Sequence, residues 1–141
     1  PDKVNQLRHV RFLHDAATLT AHMEKHAALI RPRFESVLDT LETELGGTGM
    51  GRWTMPQGGY FISFDTLPGL AEKVVQMAAD IGVKLTPAGA TFPYGRDPQD
   101  CNIRLAPTFP TQEEVRAAAA AFVACVKLAS VEQRLEGGSR Q

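Results

Sequence analysis

Two pairs of short strand-like runs, each held between helical stretches, constrain this chain more than any other feature of its sequence. The runs RWTM (52–55) and YFISFD (60–65) are joined by Pro56-Gln57-Gly58-Gly59, with proline where φ is pre-set and glycines where φ can be positive. Further on, VKLTP (83–87) and NIRLAP (102–107) frame a long loop rich in glycine and proline. Period-two alternation places Phe61 and Ser63 on one side of the second run, with Tyr60, Ile62 and Phe64 on the other. The same rule sends Ile103 and Leu105 to one face of the last run and Arg104 to the opposite face.

Helical stripes flank these runs. Val4, Leu7, Val10 and Phe12 or Leu13 give residues 2–13 a short helical spacing. From Ala16 to Leu45, residues including Leu19, Met23, Ile30, Phe34, Val37, Leu41 and Leu45 keep one apolar stripe at helical period. Pro32 falls inside that stripe. It removes one backbone bond at a cost of about 3 kcal/mol, so a kink or restart is expected near Ile30. Gly46 and Gly47 then end the helix. The segment 70–82 sets Leu70, Val74, Met77, Ala78 and Ile81 on one face, and Gly82 stops it. Thr111-Gln112-Glu113-Glu114 is a capping box at the head of a last helix reaching Glu136. The order α-β-β-α-β-β-α predicts an α+β fold: a two-layer sandwich with a small, mostly antiparallel sheet of about four strands and helices packed on one face.

The bulk numbers narrow the function classes. A chain of 141 residues with 43% hydrophobic and 22% charged residues is one globular core in size and composition, not a disordered or fibrous segment. A formal net charge of -1 argues against a nucleic-acid or polybasic membrane partner. No run approaches the roughly 20 apolar residues that cross a bilayer. The opening PDKVNQLRHVRFLHD is too charged for a signal peptide, and the lack of an initial Met points to a piece of something longer. Cys101 and Cys125 have no CxxC spacing and read as small reduced residues of a cytoplasmic protein, with a disulfide the lesser reading.

Several chemistry-like patterns have plainer readings. His22 and His26 sit one helical turn apart, but a zincin has Glu directly after the first His, and here that place holds Met23. Gly47-Thr48-Gly49-Met50-Gly51 runs from a helix end into a strand, whereas a phosphate loop runs from a strand into a helix N-terminus. Lys25, Lys73 and Lys127 fall on exposed helix positions, and Lys84 points away from the apolar side of its run, so none suits a desolvated Schiff base.

Arg104 remains. Its own run holds no acid, and the loop before it offers Gly89, Phe92, Pro93, Tyr94 and Gly95: close backbone approach and an apolar wall. A guanidinium held on a strand beside aromatics suits a carboxylate gripped by two parallel hydrogen bonds. Pairing with Asp97, Asp100 or a helix acid is the other reading, and spacing alone leaves both open.

The stretches PQGGYFISFD, GVKLTPAGATFPYG and NIRLAPTFP, in this order and spacing, resemble the C-terminal small domain of fold-type I pyridoxal-phosphate aminotransferases. The likeness covers essentially the whole chain, and with DKVNQLRHVRFL at the front it is nearest to the actinobacterial-type aspartate aminotransferases. One departure is Pro87-Ala88-Gly89, where many relatives have proline and glycine adjacent. The resemblance implies that Arg104 binds the substrate α-carboxylate, with Phe92 and the Gly89 backbone flanking the substrate. It also implies that the Schiff-base lysine and the other cofactor-binding residues lie upstream of Pro1. Pyridoxal 5'-phosphate would then belong to the full-length enzyme, a homodimer acting on amino acids and 2-oxo acids, and the chain alone would bind no cofactor and be inactive. Residues 1–15 are then a remnant of the large-domain or linker segment, 16–136 the small domain, and 137–141 a frayed tail. Residues 1–14 would lie over a surface that is normally covered. Arg96 is the one candidate here for reading a side-chain carboxylate. A free-standing amino-acid-binding regulatory module and a purely structural domain are the alternatives.

Overall fold

The computed structural model describes residues 2–138. The chain divides into two compact units, Pro1–Pro32 and Arg33–Gln141, with the boundary at the helical proline.

In the first unit, α1 (Lys3–Leu13) starts where the Asp2 carboxylate accepts the Asn5 N–H at 3.1 Å. The next helix, α2 (Ala16–Leu45), starts where Asp15 accepts the Thr18 N–H at 2.8 Å. Such caps satisfy amides that the first turn leaves without partners. The Phe12 ring meets His22 edge-on, and His22 meets His26 in the same way, so these histidines join an aromatic ladder. Val4, Leu7, Val10 and Phe12 are exposed.

Helix α2 does not restart at Pro32; it runs unbroken from Ala16 to Leu45. Phe34, Val37, Leu41 and Leu45 are buried beyond the proline. Burial stabilises by about 1.5–3 kcal/mol per large side chain, so four such residues outweigh the one bond lost.

The second unit is built on three antiparallel strands in the order β1-β2-β3: β1 (Gly51–Trp53), β2 (Ile62–Thr66) and β3 (Asn102–Leu105). Phe64 pairs with Ile103 and Ile62 with Leu105. These four side chains form the inward row, between 0% and 6% exposed. The Phe64 ring stacks on Trp53 and meets Phe122 edge-on at 5.0 Å. Phe122 belongs to α4 (Gln112–Gly138), which therefore covers the inner face. The capping box forms at the start of α4: Glu114 accepts the Thr111 N–H at 2.7 Å, and Thr111 Oγ1 accepts the Glu114 N–H at 3.3 Å. The short helix α3 (Ala71–Asp80) buries Ala71, Val74 and Ala78, and Lys73 bridges to Glu132 of α4.

The fold is α+β with a small antiparallel sheet and helices on one side, as the element order predicts. It differs in detail. The sheet of the described residues has three strands, and 83–87 lies outside it. The Val83 N–H is used by the Ala78 carbonyl at the end of α3, and Pro87 has no N–H to give a ladder. The β1–β2 connection is also longer than a tight hairpin, spanning 54–61, so Tyr60 precedes β2 and is exposed. Helix α4 continues through Gly137 and Gly138, where a frayed tail was expected; 139–141 lie outside the described residues.

Leu41 is fully buried, whereas Leu128 on α4 is 50% exposed. Leu41→Ala is expected to lose about 2–5 kcal/mol in denaturant unfolding, through lost transfer energy and the cavity left behind. Leu128→Ala is expected to change stability by about 0.5 kcal/mol or less. Equal losses would contradict this placement of the core.

Candidate functional site

The outer face of the sheet collects the strands' polar side chains. Register sets Arg52 opposite Asp65, Asp65 opposite Asn102, and Ser63 opposite Arg104. Arg52 Nε donates to Asp65 Oδ2 at 3.1 Å. Asn102 Nδ2 donates to Asp65 Oδ1 at 2.7 Å and to Ser63 Oγ at 2.9 Å. Beside this network Arg104 stands apart. Its guanidinium carbon lies 4.5 Å from the centre of the Phe61 ring, and its Nε is buried without a hydrogen-bond partner.

A cation over an aromatic face gains about 0.5–2 kcal/mol, which orients the guanidinium without neutralising it. A buried donor left unmade costs about 1–3 kcal/mol, more when charged. Arg104 is therefore positioned but unsatisfied.

The nearby acids are committed elsewhere. Asp97 accepts the N–H groups of Gln99 at 3.0 Å and of Cys101 and Asn102 at 2.8 Å each. Asp100 Oδ1 accepts the Glu72 N–H at 3.0 Å, and its carbonyl accepts those of Leu70 and Ala71. The loop thus caps α3, whose N-cap residue Leu70 cannot do so itself. Among the described residues Arg104 has no ion pair, which removes the acid-paired reading left open by spacing.

The preceding loop folds tightly on itself. Gly89 is buried at φ 78°, and a Cβ there would collide with the Gly95 carbonyl, so only glycine fits. The Gly89 carbonyl accepts the Phe92 N–H at 2.9 Å, closing a turn despite the extra Ala88. Phe92 is 37% exposed and Tyr94 is wholly exposed. Thr91 Oγ1 donates to Asn102 Oδ1 at 2.7 Å, which fixes the loop to β3 two residues before Arg104. No hydrogen bond or ring contact joins Gly89 or Phe92 to the guanidinium itself. Arg96 is exposed beyond the turn at 93–95.

A cavity of about 170 Å³ opens at the free edge of β3, with Arg104, Ala106, Lys84, Thr86, Val37 and Phe122 on its walls. Lys84 is exposed there, Lys73 pairs with Glu132, and Lys127 pairs with Glu44. No desolvated lysine nucleophile is formed by these three.

Phe61, Thr91 and Asn102 were not singled out from the sequence. Alternation puts Phe61 on the side opposite Ile62 and Phe64, and its place beneath Arg104 appears only with β2 and β3 paired.

A family model described as aspartate amino-transferase matches residues 1–137. An aspartate aminotransferase of Corynebacterium glutamicum is 46% identical over 94% of this chain and 31% of its own length. A crystal structure of an aspartate transaminase from the same species superposes with a TM-score of 0.90 at 45% identity, covering 94% of this chain and 31% of that one. An α-aminoadipate aminotransferase of Thermus thermophilus, solved with N-(5'-phosphopyridoxyl)-L-leucine, has a TM-score of 0.67 at 20% identity over 79% of this chain and 28% of its own, a likeness of fold. The chain spans about a third of the length of the relatives it matches.

Burial works to raise the Asp97 carboxyl, but the amides of Asn102, Cys101 and Gln99 outweigh it and hold the group below its usual 3.8. A depressed carboxyl contributes stability that is complete above the unfolded value and lost as pH falls through the folded one. The wild-type chain is expected to lose stability as pH drops below about 3.8, and Asp97→Asn to flatten that limb. Thermal denaturation across this range checks it; an unchanged acid limb in the variant would contradict the role given to Asp97.

Proposed function

Because the chain belongs to the aspartate amino-transferase family, we propose that it is the small, carboxylate-binding domain of a pyridoxal-phosphate aminotransferase. The whole enzyme moves an amino group from L-aspartate or a similar amino acid to 2-oxoglutarate. The observation that carries this reading is Arg104: oriented by Phe61, unpaired among the described residues, and bordering an open cavity.

A guanidinium in that state offers parallel N–H donors to a planar carboxylate, a geometry no ammonium reproduces. The substrate's α-carboxylate supplies the acceptors and the missing negative charge. That contact fixes the amino acid by its acid end and leaves its amine free to react. Phe92 and the backbone at Gly89 are assigned the flanking wall by the family resemblance; the cavity itself is walled by 83–86, 104–107 and residues of α2 and α4.

The cofactor, when bound, supplies the electron sink for the chemistry. The residues present do not fit the covalent attachment it needs: Lys73 and Lys127 are tied to glutamates, and Lys3, Lys25 and Lys84 are exposed. The attachment lysine is therefore assigned to the rest of the enzyme, and this chain alone to neither cofactor binding nor transamination. A cytoplasmic homodimer is part of the same proposal.

Arg104→Lys in the full-length enzyme tests it. The substitution keeps the charge and removes the fork, so the expected result is a raised KM for the amino acid, equivalent to about 2–5 kcal/mol, with cofactor affinity little changed. Unchanged amino-acid kinetics would remove Arg104 from the site.

A further inference from the structure

The polar network on the outer face is more than surface pairing, because it determines which way one amide must point. Arg52 orients the Asp65 carboxylate, and an ionised carboxylate can only accept. Asn102 must therefore turn its NH₂ group towards Asp65 and Ser63, which leaves its carbonyl oxygen facing the Thr91 hydroxyl at 2.7 Å. The backbone N–H of Asn102 is held by Asp97. Both ends of the segment from Thr91 to Asp97 thus converge on one residue, two places before Arg104 on the same face of β3.

We propose that Thr91 and Asn102 form a latch, set by Asp65, that holds the 86–96 loop against the sheet and so fixes the Phe92 wall relative to Arg104. Both are positioning residues, acting through Phe92 and Arg104 rather than on substrate. The inference rests on the roles proposed above for Arg104 in binding the carboxylate and for Phe92 as its flanking wall. The latch bond is neutral and its side chains are solvent-accessible, so it favours the closed loop only several-fold. A latch of that strength opens readily for substrate to enter and leave, while the rest of the network keeps its geometry. It regulates affinity for the carboxylate without contributing to the core.

The test uses the full-length enzyme with Thr91→Val, which keeps the shape and removes the hydroxyl, beside Thr91→Ser, which keeps the donor. Thr91→Val is expected to raise KM for the amino acid about three- to tenfold, with kcat within about twofold of the parent. Hydrogen exchange at the amides of 89–96 is expected to quicken in the same variant, with the melting temperature unchanged. Thr91→Ser is expected to restore both. Parent-like KM in Thr91→Val while Arg104→Lys raises it overturns the latch and leaves the carboxylate site standing. A Thr91→Ser enzyme as impaired as Thr91→Val also overturns the latch, since the hydroxyl would then be irrelevant. An Arg104→Lys enzyme with unchanged KM overturns the site, and the latch with it.

Discussion

Arg104 points outward because its two neighbours cannot. Ile103 and Leu105 are 1% and 6% exposed in the inward row, and each contributes about 1.5–3 kcal/mol by burial. A slip of β3 by one residue would exchange the faces, placing two large apolar side chains in water and a guanidinium in the core. Burying that cation without a partner would add several kcal/mol more. The orientation of the Arg104 guanidinium is thus set by the stability of the fold, not by contacts the group makes for itself.

The same sheet leaves that cation unneutralised. Acids are present in the loop, yet Asp97 and Asp100 are occupied by backbone amides in a tight turn and at the head of α3. On the strands, Asp65 is taken by Arg52 and Asn102. Each carboxylate therefore serves local structure, and Phe61 gives Arg104 an apolar seat without supplying charge. An anion binding as proposed would meet a donor whose desolvation has already been met by folding, which is the condition under which a bidentate pair adds most to affinity.

Much of this was legible in the residues, and the reasons are local ones. Alternation separated Ile103 and Leu105 from Arg104, and Phe61 from Phe64, because side-chain direction in a strand needs no knowledge of its partner. The capping box at Thr111 and Glu114 was legible for the same reason. The seat under Arg104 was not, since it depends on the pairing of Ser63 with Arg104 across a long intervening segment. Asn102 escaped notice likewise: its bond to Ser63 joins residues 39 apart. Residues 83–87 have strand-like alternation but no strand hydrogen-bonded to them, because pattern sets a face and not a neighbour. At Pro32, local propensity was overridden by apolar burial further along the helix.

The most direct measurement is a crystal structure of the full-length enzyme holding an unreactive carboxylate analogue of its amino acid. Two N–H···O contacts of about 2.7–2.9 Å from Arg104 to one carboxylate, with Phe61 still beneath the guanidinium, are what this account predicts. A carboxylate seated elsewhere, with Arg104 turned to an acid of its own protein, would contradict it.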